Sequence, residues 1–226
     1  MAMHDFAAAT ARPLPVIILA DVSGSMTVDG KIENLNMAIK TMIASFAKES
    51  RLNAEIQVAL VTFGGECASA HVPLTPAYQI TEVQHLTASG GTPMGSAFEM
   101  VTAMVEDKTL IPSRAYRPTI VLISDGWPTD DWEAPFAALQ QSERAKKAVR
   151  MAMAIGSDAD KNMMKAFIND PETPVFEAHN SQDIVRFFRA VSMSVSNRSR
   201  STTPNQITKI DFKNLPDDDE LDLGDF

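Results

Sequence analysis

Oxygen-bearing side chains gather at three places in this sequence. Residues 20–26, ADVSGSM, deliver the carboxylate of Asp21 and the hydroxyls of Ser23 and Ser25 directly after an apolar run, VIIL. Residues 124–130, SDGWPTD, place Asp125 directly after a second apolar run, and Thr92 follows Gly90 and Gly91. Three chemistries compete for such groups: an attacking nucleophile, a phosphate cradle or a cation site. No His or Cys lies beside these groups in the sequence. An ion held here is therefore bound by oxygen, which disfavours Zn²⁺ and suits Mg²⁺ with waters completing its shell. Hydroxyl ligands would put little negative charge directly on the ion. It would stay electron-poor and attract a carboxylate from outside.

These groups need strands to deliver them to one place. Residues 16–20 form a short, continuously apolar and partly β-branched run, the pattern of a strand buried on both faces. Residues 31–49 repeat Ile32, Leu35, Ile39, Met42, Ile43 and Phe46 at helical spacing. EIQVALVTF (55–63) reads as a strand stopped by Gly64-Gly65, and a short edge strand is expected near residues 70–74, in a looser segment with Pro73 and Pro76. Thr92 and Pro93 suit the N-cap and first position of a helix running to about Glu106, with Phe98, Val101, Met104 and Val105 inward. TIVLIS (119–124) is a further buried strand. A helix over 136–148, strands at 149–155 and 175–177, a short helix over 160–168 and a last helix bearing Ile184, Phe187, Phe188 and Val191 complete the pattern. Such alternation predicts an α/β fold, doubly wound, with a mainly parallel central sheet between helices and one short antiparallel edge strand. Ligands of open parallel sheets bind beyond the carboxyl ends of the strands, where Asp21 and Asp125 both fall.

Asp21-x-Ser23-x-Ser25, a distant Thr92 behind two glycines, and Asp125-Gly126 resemble the metal-ion-dependent adhesion site of von Willebrand factor type A domains. The resemblance covers residues 14–195. It implies that Ser23, Ser25 and Thr92 are hydroxyl ligands of a divalent cation, usually Mg²⁺, with Mn²⁺ or Ca²⁺ as substitutes. Asp21 and Asp125 would be the carboxylates that hold the ion, largely through water. The free coordination position would take an Asp or Glu of a protein partner. General character and the SDGWPTD context also resemble the bacterial tellurite-resistance-associated branch of the family. That implies a stress-response setting, with a protein kinase and a phosphatase as companions.

Each piece taken singly has a plainer reading. Asp and Ser after a strand often only shape a turn, Thr92 suits an N-cap, and Asp125-Gly126 suits a tight turn. Their conjunction, in this order and at these strand ends, favours the metal site. Trp127 and Trp132 flank the second acidic loop; packing that holds Asp125 is the expected role, with partner contact as the alternative. Asp130 and Asp131 are expected to be solvated or to cap the helix that follows them. The four histidines form no ligand-spaced pair, the thirteen methionines read as core filling, and Cys67 reads as a small buried or loop residue.

Catalytic alternatives fit less well. A haloacid-dehalogenase-type phosphohydrolase would use Asp21 as nucleophile, but Ser23 stands where its general acid is needed. GGTPMGS (90–96) has no lysine for a Walker phosphate loop, and no GxSxG is present. The chain is therefore read as a binding adaptor and not an enzyme, a scaffold with a vestigial metal site being the third reading. The net charge is −9, and the last ten residues, DDDELDLGDF, carry six acids and no base. Setting those aside leaves about −3 for the body, which argues against a nucleic-acid partner. No apolar run approaches the ~20 residues of a membrane span. One cysteine and no visible secretory signal favour the cytoplasm. Residues 1–13 are read as an N-terminal segment and 196–226 as a mainly disordered polar linker and acidic tail. The tail is expected to be solubilising or independently recognised, with weak competition for the metal site as the alternative.

Overall fold

The computed structural model describes residues 11–50 and 52–206. Its centre is a six-stranded sheet. In chain order the elements are β1 (Arg12–Asp21), α1 (Lys31–Ala47), β2 (Ala54–Gly64), β3 (Cys67–Pro76), α2 (Met94–Glu106), β4 (Thr119–Ser124), α3 (Glu133–Gln141), α4 (Glu143–Lys146), β5 (Val149–Ile155), α5 (Lys161–Ile168), β6 (Phe176–Ala178) and α6 (Ser181–Arg200). The strand order is β3-β2-β1-β4-β5-β6. Every neighbouring pair is parallel except β2 with β3. This is the expected doubly wound α/β architecture.

Side-chain alternation along the strands divides the core into two layers. In β1, Leu14, Val16 and Ile18 pack with α1 and α6, where Leu35, Ile39, Phe46, Phe187 and Val191 are buried. Ile17 and Leu19 point the other way, toward Phe98 and Val101 of α2 and Phe167 of α5. A period of two thus makes a continuously apolar strand that helices must cover on both sides. All six positions of the predicted α1 stripe are buried. Met104, expected inward on α2, is only partly buried.

Four elements differ from expectation. β1 spans Arg12–Asp21 and not 16–20, so Arg12 and Pro13, read as part of the N-terminal segment, pair with β2. The edge strand β3 spans ten residues and not five, and its register against β2 shifts between the Val58–Thr75 and Leu60–Val72 pairs, where Pro73 falls. An edge strand tolerates proline because one row of its N–H groups needs no partner strand. The helix expected over 136–148 is two helices broken at Ser142, whose hydroxyl accepts from Ala145 N as the cap of α4. Residues 196–200, read as the start of a disordered tail, instead complete α6, with Ser196, Arg198 and Ser199 buried. The sequence hid this because the anchors there are polar. Arg198 donates to Thr119 Oγ1 (2.7 Å), Pro204 O (2.8 Å) and Arg117 O (2.6 Å), tying the helix end beneath the start of β4. Burial, with the neighbouring Arg117 charge, lowers its pKa to about 10, so it stays charged at neutral pH. The acidic tail and residues 1–10 lie outside the described residues. No helix among the described residues is long and apolar enough to cross a membrane.

Arg198→Met leaves three acceptors facing an apolar chain and should lower the unfolding free energy by about 2–4 kcal/mol in urea titration. An unchanged transition would show that the last turn of α6 carries no weight.

Candidate metal centre

Parallel pairing sets Ala20 of β1 against Ile123 of β4, so Asp21 and Ser124 end their strands side by side. Both share the parity of Leu19 and Leu122, which face the α2 and α5 layer. The Ser124 hydroxyl donates to Asp21 Oδ2, and Ser23 N donates to Oδ1 at 2.8 Å. Asp21 is fully buried. Desolvation raises its pKa above the usual carboxylate range, hydrogen bonds from Ser124 and Ser23 oppose that rise, and repulsion from Asp125 adds to it.

The turn after β1 is a 3-10 stretch, Gly24–Gly30, entered by Ser23 in an extended conformation that makes no side-chain cap. Its hydroxyls bond laterally. Ser23 Oγ lies 3.0 Å from Ser25 Oγ, and Ser25 donates to Asp125 Oδ1 at 2.7 Å. A serine that gives its proton to a carboxylate keeps its lone pairs for a cation. The other oxygen of Asp125 takes the Lys31 ammonium, at 2.7 Å.

Thr92 arrives on residues 80–91, which hold no regular element yet are firmly anchored. Buried Asn36 of α1 donates to Leu86 O (3.0 Å) and accepts from Leu86 N (2.8 Å). Ser89 N bonds Val22 O, Gly65 N bonds Ser89 O and Gly24 N bonds Gly90 O, all within 2.8–2.9 Å. Gly90, at φ +70°, lies against Gly65 so closely that a Cβ would stand 2.5 Å from the Gly65 Cα. The glycines before Thr92 therefore let one backbone lie on another. The expected N-cap role of Thr92 is not found. Pro93 holds the cap position without a side-chain bond, and Asp130 caps α2 from the opposite loop, accepting from Gly95 N and Ser96 N at 2.9 Å. Thr129 Oγ1 accepts from Thr92 N, and Thr129 N returns a bond to Thr92 O. Thr92 is a buried residue with both backbone groups so engaged, and its hydroxyl makes no hydrogen bond among the described residues. It sits beside Gly126, 3.7 Å from where a Cβ of that residue would stand.

All five predicted residues thus meet at one rim, with Asp21, Ser23, Thr92 and Asp125 buried and Ser25 exposed. The set could hold a hard divalent cation through oxygen. No group of three or more His, Cys, Asp or Glu suited to a metal occurs among the described residues, so the hydroxyls are indispensable to such a site. Ser124, Lys31, Thr129 and the capping role of Asp130 escaped the sequence reading. Parity along TIVLIS could have flagged Ser124; nothing in the sequence links Lys31 to a carboxylate 94 residues away. The tryptophans divide the two roles weighed for them. Trp132 packs on Phe136 with ring centres 5.6 Å apart, whereas Trp127 is 62% exposed beside Asp125. A cleft of about 370 Å³ opens next to Ser25 and Lys31, walled by Val28, Ser157 and His179. A larger hollow of about 460 Å³, lined by Pro13, Glu55 and Gln57, lies at the far end of the strands. Cys67 is exposed, at the first position of the edge strand and not in the core.

The family profile described as von Willebrand factor type A domain matches residues 16–190. The chain belongs to this family. Among solved structures, it resembles a von Willebrand factor type A protein from Catenulispora acidiphila at 21% identity and TM-score 0.64, over 81% of this chain and 42% of that one. It resembles proximal thread matrix protein 1 from the mussel byssus, a structure with a zinc-occupied MIDAS motif, at 16% identity and TM-score 0.63, over 81% and 45%. The pilus adhesin SpaC from Lactobacillus rhamnosus GG matches at 13% identity and TM-score 0.66, over 82% and 31%. At these identities the likeness is one of fold. The chain spans less than half the length of each. Comparison with curated proteins finds no match.

In this von Willebrand factor A domain, Asp130→Ala should cost about 1–2 kcal/mol by removing the cap of α2. The same variant should weaken Mn²⁺ binding by loosening the Thr92 loop. Thermal unfolding and calorimetric titration check both effects, and a full-strength cap with undiminished binding would refute this role for Asp130.

Proposed function

We propose that this domain is a divalent-cation-dependent protein-binding module that captures an acidic side chain of a partner. The observation that carries the reading is the lateral chain of Ser23, Ser25 and Asp125, set beside buried Asp21 and the unspent hydroxyl of Thr92. Ser23, Ser25 and Thr92 act as the direct ligands, and Asp21 and Asp125 hold the ion through water. Mg²⁺ is the expected ion, with Mn²⁺ or Ca²⁺ able to substitute. Once bound it supplies an open coordination position to an Asp or Glu from outside. The chain's own residues do the remaining work. Ser124 and the Ser23 amide fix the Asp21 carboxylate, Ser25 fixes Asp125, and the glycine seam holds Thr92 at the rim. Trp127, exposed beside Asp125, is the second contact, since tryptophan is enriched among the residues that carry most of the binding energy at interfaces.

Catalysis is not part of this reading. Asp21 is engaged by two hydrogen bonds and buried, and no acid stands two residues after it to protonate a leaving group. The lone exposed thiol of Cys67 suits a reducing compartment, in line with a cytoplasmic location. A stress-response setting of the tellurite-resistance type, with a protein kinase and a phosphatase as companions, rests on the family resemblance of the SDGWPTD loop.

Affinity capture from lysate in Mg²⁺ and in EDTA tests the function. The partner should be retained in Mg²⁺, lost in EDTA and lost with Ser23→Ala, while Trp127→Ala weakens it by roughly ten- to a hundredfold. Capture indifferent to EDTA and to Ser23→Ala contradicts the reading. A p-nitrophenyl phosphate assay with Mg²⁺ should give no turnover that Asp21→Asn abolishes.

A further inference from the structure

We infer that Lys31 is a resident counter-cation of the metal centre, whose ammonium competes with the divalent ion for Asp125 and so sets how tightly the ion is held. The inference rests on the metal-binding reading above. Lys31 opens α1, and its Nζ lies 2.7 Å from Asp125 Oδ2, a carboxylate whose side chain is fully buried. The Lys31 side chain as a whole is only one-fifth exposed. A contact this short to a buried carboxylate leaves little water to screen the ammonium from anything bound beside Asp125.

Charge at the rim decides the consequence. Asp21 and Asp125 together could give a site of charge −2, but Lys31 reduces it to −1. Asp125 offers two oxygens, and both are taken: Oδ1 by the Ser25 hydroxyl and Oδ2 by the lysine. A divalent ion drawing on Asp125, directly or through a water, must share that carboxylate with a positive charge a few ångströms away, and at that range like charges repel strongly. Lys31 thus weakens cation binding. It also leaves a bound ion short of negative charge, and so more dependent on a carboxylate from a partner. The lysine lines the cleft shared by Ser25, Val28 and His179, so its side chain has room to swing off Asp125. The nearby acids Asp29 and Asp158 on the same cleft offer it an alternative anion.

Calorimetric titration of the full chain with MgCl₂ and MnCl₂ tests this, using the wild type, Lys31→Met and Lys31→Arg. Lys31→Met should bind either ion about tenfold more tightly or better, while Lys31→Arg, which keeps the charge, should stay near the wild type. In EDTA, Lys31→Met should melt several degrees below the wild type, because buried Asp125 loses its counter-ion; saturating Mg²⁺ should close that gap. Equal or weaker cation binding by Lys31→Met overturns the inference and leaves the metal site standing. Failure of all three proteins to bind either ion overturns the metal site and the inference together.

Discussion

Two carboxylates buried at the same rim of one sheet are the constraint on which the site is built. Each ion taken out of water costs several kcal/mol unless the protein replaces its hydration. Asp21 is met by the Ser124 hydroxyl and the Ser23 amide, and Asp125 by the Ser25 hydroxyl and the Lys31 ammonium. The lifted pKa of Asp21 shows that this compensation is incomplete, with burial as the largest cause and Asp125 adding to it. A rim poorly neutralised from within is one that gains by holding a cation.

Holding such charges side by side requires the backbone to be brought unusually close at one seam. Gly64 ends β2 with Gly65 next to it, and Gly90 and Gly91 precede Thr92. A Cβ on Gly64 would stand 2.5 Å from Val22 O, and one on Gly91 would stand 2.8 Å from Thr129 Oγ1. These contacts lock the turn after β1 and the loop before α2 into one block. The division of labour at α2 follows from this. Because Asp130 caps the helix from across the rim, the threonine nearest the helix start is not consumed as a cap. Serine and threonine hydroxyls usually satisfy backbone groups close by. Here Ser23, Ser25 and Thr92 all avoid that fate, and their sparing is what makes the cluster chemically available.

Much of this was legible in the sequence, and for physical reasons. VIIL and TIVLIS are short, continuously apolar and β-branched, the pattern of strands covered on both faces, which favours a doubly wound sheet and puts Asp21 and Asp125 at one edge. The α1 stripe and the inward face of α6 followed from period alone. What stayed hidden depends on partners far apart in the chain. Lys31 meets Asp125, Asn36 meets Leu86, Asp130 meets the start of α2 and Arg198 meets Thr119 only because the sheet brings them together. Polar anchoring also misled the reading of residues 196–200, where a buried arginine does the holding that apolar residues usually do. Asp130 was expected to be solvated or to cap the helix that follows it, and distance along the chain gave no reason to expect otherwise.

In the proposed function, three hydroxyls and two carboxylates form one cation site at the carboxyl rim of the sheet. A crystal structure of the full chain grown in Mn²⁺, with anomalous diffraction collected at the manganese edge, tests it most directly. A single strong anomalous peak is expected at the rim, within direct coordination distance of Ser23 Oγ, Ser25 Oγ and Thr92 Oγ1, with Asp21 and Asp125 one water further out. A peak elsewhere on the molecule, or none at the rim in saturating Mn²⁺, would contradict it.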